Sequence, residues 1–258
     1  MSKYFQALQR GESRTVARRS VPTEILPFLE EANAPVKPLI AIPVAAAEYG
    51  DLLGDLARDP ALCQLSEQLA ALSTPDNPLR VLVGGCRPGD GASTIATALA
   101  LDLSQRLAMR TVLVDGHLRH PALRTLLARN APLPAELSSA AALAAQRTAW
   151  PRLELIARLP MPAESPRAVL DDLSGLLRRY PVAVIDLGVI RLEPRMLFLA
   201  RPDDPVLLVT RYEHTEREEL ERTVTLLRGT NHRVPGVILN GYKSPVPSFI
   251  RRRMGIGG

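Results

Sequence analysis

The sequence predicts a doubly wound α/β fold, a mostly parallel sheet with helices on both faces. Three observations carry that prediction. From Leu79 onward, short, almost unbroken apolar runs recur, as expected of parallel strands covered on both faces. Helical stretches lie between most of these runs, and strand alternating with helix is the pattern of a doubly wound sheet. The first of the runs ends in a glycine-rich turn, "VGGCRPGDGASTIATALA", which leads directly into a helix.

Residues 1–60 read differently and are expected to form a Pro-rich arm or linker. Six prolines, Pro22, Pro27, Pro35, Pro38, Pro43 and Pro60, interrupt every periodic pattern there. Proline lacks a backbone donor and fixes φ, so neither a long helix nor a central strand is expected. A short basic helix is predicted near Tyr4 to Arg10, followed by a mostly extended segment. A helix from about Pro60 to Ser73, with Leu62, Leu65, Leu69 and Leu72 on one face, then leads into an α/β domain spanning residues 61–242.

Within that domain the predicted strands are 80–85, 111–115, 153–157, 182–187, 206–210 and 234–240, with helices at 92–108, 121–129, 166–179 and 215–228. Residues 243–258 remain as a short basic tail. There Phe249, Ile250 and Met254 flank Arg251, Arg252 and Arg253, a composition suited to an anionic lipid surface or an acidic partner, and equally to a frayed basic terminus.

Composition narrows the class of protein. With 46% hydrophobic and 23% charged residues, and no apolar run of the roughly 18–20 residues needed to span a bilayer, the chain reads as a soluble globular protein. The basic, polar N-terminus lacks the apolar segment of a signal peptide, which predicts a cytoplasmic location. Cys63 and Cys86 are too few and too isolated for a disulfide framework or a metal site. The net charge of +5 comes almost wholly from arginine spread along the chain, so nucleic acid is not an expected partner.

Ligands of such sheets bind beyond the carboxyl ends of the strands, and three strand ends here carry chemistry. In the first, Pro88, Gly89, Asp90, Gly91, Ala92, Ser93 and Thr94 form a turn whose backbone N–H groups, with those of the following helix, suit phosphate oxygens. This is the layout of a phosphate-binding P-loop and points to a sheet of the P-loop NTPase type, although the spacing to an earlier glycine is imperfect. The other two strands end in Asp115 and Asp186, each directly after a run of apolar strand residues. A carboxylate at such a point suits Mg²⁺ or its waters opposite the phosphates, and equally suits a helix N-cap or a turn. His117 and His120 lie three apart but have no third ligand at suitable spacing for a metal.

With these motifs assembled, "CRPGDGAST", "TVLVDGHLRHPAL", "YPVAVIDLG" and "LARPDDPVLLVTRYEHTEREELERTVTLLRG" through "VPGVILNGY" together resemble the cytoplasmic domain of bacterial tyrosine kinases of capsule and exopolysaccharide synthesis. That family is related to the partition and division-site ATPases, and the resemblance spans roughly residues 60–242. It implies a phosphate cradle at Gly89 and Gly91, Mg²⁺ coordination by Ser93, and metal or base chemistry at Asp115 and Asp186. Pro88, Thr94, Leu118, Arg119 and Pro121 also match the family's motifs.

The departures from the family point the other way. Ala92 stands where the family has the loop lysine, and His117 replaces the second carboxylate of the Asp115 motif. The family's C-terminal tyrosine cluster is not found, Tyr242 being the only tyrosine after Tyr212. The Glu and Arg pattern that helps such kinases form rings is not evident in "DPALCQLSEQLAAL".

The resulting expectation is an accessory or regulatory component of bacterial exopolysaccharide biosynthesis or export. Its catalytic motifs are degraded, Asp115 and Asp186 are vestigial, and it acts through a membrane-bound co-polymerase or chain-length protein. ATP or ADP with Mg²⁺ is the cofactor if the loop still binds one, and Arg119 is then a further contact. Homo-oligomerisation and peripheral contact with the inner face of the plasma membrane belong to the same expectation. Two alternatives stay open: an active autokinase or ATPase with Arg87 or Arg119 replacing the lysine, and a partition- or division-type positioning ATPase.

Overall fold

The computed structural model describes residues 38–43, 52–117, 123–128, 144–157, 159, 166–192, 194, 197, 200, 201, 203–232 and 234–242. The expected helix near Tyr4, the basic tail 243–258, and Leu118, Arg119, His120 and Pro121 lie outside the described residues.

The described elements run β1 (Pro38–Pro43), α1 (Leu52–Ala57), α2 (Pro60–Ala70), β2 (Leu79–Gly85), α3 (Ala92–Gln105), β3 (Thr111–Asp115) and α4 (Leu123–Ala128). They continue with β4 (Gln146–Arg147), β5 (Leu153–Ile156), α5 (Pro166–Leu177), β6 (Val182–Val189), β7 (Val206–Arg211), α6 (Arg217–Gly229) and β8 (Gly236–Tyr242). The strands form one sheet in the order β1-β8-β7-β2-β6-β3-β5-β4. Every neighbouring pair is parallel except β4 with β5. The fold is a doubly wound α/β fold.

Alternation along the strands divides the interior into two layers. Val81, Val83, Leu113, Val184 and Leu207 face one side, where Leu62, Leu65 and Leu69 of α2 and Ile95, Leu99 and Leu103 of α3 cover them. Leu82, Val112, Ile185 and Leu208 face the other side, against Leu173 and Leu177 of α5 and Val224 and Leu227 of α6. Each of these leucines is essentially inaccessible, and such burial stabilises by about 1.5–3 kcal/mol per side chain.

Helix α2 starts where the Asp59 carboxylate accepts the Ala61 and Leu62 N–H groups at 2.9 and 3.3 Å, with Pro60 in the first turn. It ends at Ala70 rather than Ser73, because Thr74 and Asn77 exchange backbone hydrogen bonds in a turn. Helix α3 stops at Gln105, short of the expected 108, before the positive φ of Ala108. Two pieces of the expected arm lie with the sheet and its covering helices. Residues Pro38–Pro43 pair in parallel with β8, and α1 places Leu53 and Leu56 in the core. The prolines at the two ends of β1 are compatible with pairing because the strand sits at the sheet edge. The polar two-residue strand β4 also went unpredicted, being too short to show periodicity.

Candidate functional site

The strand order decides the neighbours of the glycine-rich turn. β2 lies between β6 and β7, so the turn at its carboxyl end has the β6 and β3 ends on one side and the β7 and β8 ends on the other. Asp115 and Asp186 are register partners on β3 and β6, and Asp186 lies one strand from the turn. The three strand ends singled out in the sequence are therefore brought together.

The turn depends on two glycines with φ of 89° at Gly89 and 91° at Gly91, a region that side chains rarely adopt. A Cβ on Gly91 would also lie 2.2 Å from Asn240 Nδ2. Gly91 precedes α3 with no side-chain cap, so the helix's first N–H groups receive none from it. Ser93 and Thr94 are half-buried in the first turn, and Pro88 is exposed.

Asp90 does something the sequence did not indicate. It is wholly buried, and its Oδ2 accepts the N–H groups of Cys86 and Arg87, each at 2.9 Å. Its Oδ1 accepts the Thr215 hydroxyl at 2.6 Å. The carboxylate thus shapes the loop from inside, while Asn240 Nδ2 donates to the Asp90 carbonyl at 2.8 Å. His214 Nε2 lies 3.1 Å from the Pro88 carbonyl, and Arg211 Nη1 donates to that of Gly89 at 3.4 Å. Arg211 ends β7, His214 and Thr215 follow it, and Asn240 lies within β8; none belongs to a short motif, so only the fold reveals them as loop partners.

Ala92 is 7% exposed at the position where a P-loop lysine would stand. Arg87 does not fill that role: its Nη1 donates to the His214 carbonyl at 3.1 Å and pairs with Glu219 at 3.5 Å.

The two aspartates differ. Asp115 Oδ1 accepts the His117 N–H at 3.1 Å, and its Oδ2 accepts that of Leu123, the first residue of α4, at 3.0 Å. It acts as a turn and helix-start brace. Asp186 is 0% exposed; Oδ1 accepts the Gly188 N–H at 2.9 Å, but Oδ2 is buried without a hydrogen bond among the described residues. Burial raises the Asp186 pKa above the ordinary carboxylate value, opposed by the nearby Ser93 hydroxyl, the Gly188 N–H and His117. A buried oxygen without a partner beside a serine hydroxyl fits a hard cation carried in with a phosphate ligand. Ser93 and Asp186 are the residues that would hold Mg²⁺, while Asp115 already serves two backbone donors. No group of three or more His, Cys, Asp or Glu side chains suited to a metal occurs among the described residues. No described helix is long and apolar enough to cross a membrane.

A glycine turn at a helix start, beyond the carboxyl end of a central parallel strand and flanked by strand-end carboxylates, defines a domain of the P-loop NTPase fold. Solved structures agree. The chimeric protein CapA2B2 has the same fold, with a TM-score of 0.64 at 20% identity over 81% of this chain and 96% of that one. The BceF tyrosine kinase domain aligns at 26% identity with a TM-score of 0.54, over 70% of this chain and 76% of that one. The VpsO kinase domain gives 25% and 0.53, over 74% and 96%. No family model matches the chain, and no curated protein matches it by sequence. The chain is thus similar to bacterial tyrosine-kinase domains, the family its motifs led us to expect.

Proposed function

We propose that this protein is an accessory or regulatory component of bacterial exopolysaccharide assembly or export. In this reading it is a tyrosine-kinase-like domain that holds a nucleotide in its phosphate loop without transferring phosphate efficiently. It acts at the cytoplasmic side through a membrane-bound co-polymerase partner.

The observation that carries the reading is the short, buried side chain of Ala92 in the loop, with Arg87 turned away to Glu219. Phosphoryl transfer relies on positive charge fixed where the transferring group becomes charged, and loss of one such contact typically lowers the rate by about 10²–10³. The cradle itself keeps what holding an anion requires: Gly89 and Gly91 in left-handed conformations, and an uncapped helix start. Mg²⁺ bound at Ser93 and Asp186 would supply charge neutralisation for the phosphates.

The test is to incubate the full chain with Mg-ATP and detect phosphotyrosine, beside a titration with Mg-ADP. The expected result is saturable ADP binding with phosphorylation at least about 100-fold slower than in an Ala92→Lys variant. Robust autophosphorylation by the wild-type chain would overturn the reading.

A further inference from the structure

The loop contains no cation of its own in the first turn of α3, which leaves open what balances the charge of a bound polyphosphate. Among the described residues, two arginines and one histidine touch the loop from outside it or at its edge. Arg87 is neutralised by Glu219 and also donates to the His214 carbonyl. The His214 ring faces the Pro88 carbonyl. Arg211 differs: among the described residues its guanidinium has no carboxylate partner, and its side chain makes a single long hydrogen bond, 3.4 Å, to the Gly89 carbonyl at the loop's tip.

The sheet register sets Arg211 at this height. Val209 of β7 pairs with Gly85, the last residue of β2, so Arg211 stands two residues further on, level with the loop. Its backbone is fixed there by the Thr215 hydroxyl, which accepts the Arg211 N–H at 2.8 Å, while the side chain reaches solvent. Of the guanidinium's five N–H donors the Gly89 carbonyl takes one, which leaves the rest of the fork for phosphate oxygens. On the opposite side of the loop, Asp186 presents its unpartnered oxygen. A cation on the β7 side and an anion on the β6 side complement a polyphosphate that carries its own metal ion.

We propose that Arg211 is the phosphate-binding cation of this site, gripping the phosphate chain from the β7 side at Gly89. The proposal rests on the nucleotide reading above and explains how affinity persists without the loop lysine. The charge has moved from the helix start to the loop tip, where it favours holding the ligand over stabilising its transfer.

The experiment is calorimetric titration of the full chain with Mg-ADP and, separately, with pyrophosphate. The variants are Arg211→Ala, Arg211→Gln and Arg211→Lys, with Arg87→Ala as the control. Loss of a charge-assisted contact predicts that the first two weaken both ligands by about 10- to 100-fold. Arg211→Lys is expected to recover part of the loss, and Arg87→Ala to stay within about threefold of wild type. Arg211→Gln keeps the side-chain stem, and an unchanged melting temperature without ligand shows that the fold is intact. Wild-type affinity in Arg211→Ala and Arg211→Gln overturns this proposal and leaves the nucleotide reading standing. A wild-type chain that binds neither ligand removes both. Weakened ADP binding with unchanged pyrophosphate binding assigns Arg211 to the nucleoside and overturns the phosphate contact.

Discussion

At the C-terminal end of α3 the Asp102 carboxylate is buried, and Arg106 takes both of its oxygens, at 2.7 and 2.8 Å. Near the N-terminal end of the same helix Asp186 is buried to a similar degree, yet among the described residues one of its oxygens has no hydrogen bond. Around Arg106 the satisfaction is complete: it also pairs with Glu67 at 2.6 Å and donates to the Cys63 carbonyl at 2.9 Å, tying α2 to α3. Those contacts hold the Arg106 pKa above its ordinary value, the hydrogen bonds to Asp102 most of all. A cation at a helix C-terminus also suits the helix dipole. One end of α3 is thus closed by its own side chains, while the other keeps an uncapped helix start and an unpartnered carboxylate oxygen. A buried carboxylate oxygen left incomplete beside an uncapped helix start marks where a ligand is expected.

The contrast predicts opposite responses to substitution. The largest effect is expected from Arg106→Ala, which strands Asp102; because Arg106 is itself partly exposed, the loss is about 3 kcal/mol, at the low end for such pairs. Urea unfolding would measure it, and a loss below about 1 kcal/mol would remove the distinction between the two ends. Asp90→Ala leaves the buried Cys86 N–H without its acceptor and should cost about 2 kcal/mol in the same assay.

Asp186→Asn is expected to stabilise the ligand-free protein. Because the folded pKa is raised, the acid's contribution is fully present below the unfolded pKa and is lost as pH rises through the folded value. The amide cannot ionise and escapes the burial cost of the charged form, so on the alkaline side of the Asp186 transition it should raise the melting temperature by about 2–4 °C and flatten the decline of stability with rising pH. A lower melting temperature there would mean that the carboxylate is better satisfied than its geometry indicates. The smallest effect is expected from Thr215→Val, which removes one hydroxyl bond to Asp90 for about 1 kcal/mol and loosens the loop, read as faster amide exchange at Cys86 and Arg87.

Much of the fold was legible from the residues. The central strands announced themselves because a strand covered on both faces is largely apolar, as residues 81–85 and 182–185 are. β1 was not legible: "PLIAIP" carries a proline at each end and becomes a strand only by pairing with β8. For the site, the loop and both aspartates were visible as strand-end residues, but their states were not. Asp115 and Asp186 occupy the same sequence context, yet the chain after β3 supplies two N–H donors to Asp115, whereas Asp186 receives one. The β7 and β8 side was invisible, since Arg211, Thr215 and Asn240 stand 120 or more residues from the loop they touch.

By itself, the sequence determined the alternation of elements, the two glycines that let the loop turn, and the absence of a lysine at Ala92, because each depends on residue type and local spacing alone. Tertiary structure decided which strands became neighbours and, among the described residues, which carboxylate oxygen stayed unpartnered and that Arg211 rather than Arg87 keeps its guanidinium clear of carboxylates. Those are questions of which distant groups meet, and only the packing of the sheet against its helices answers them.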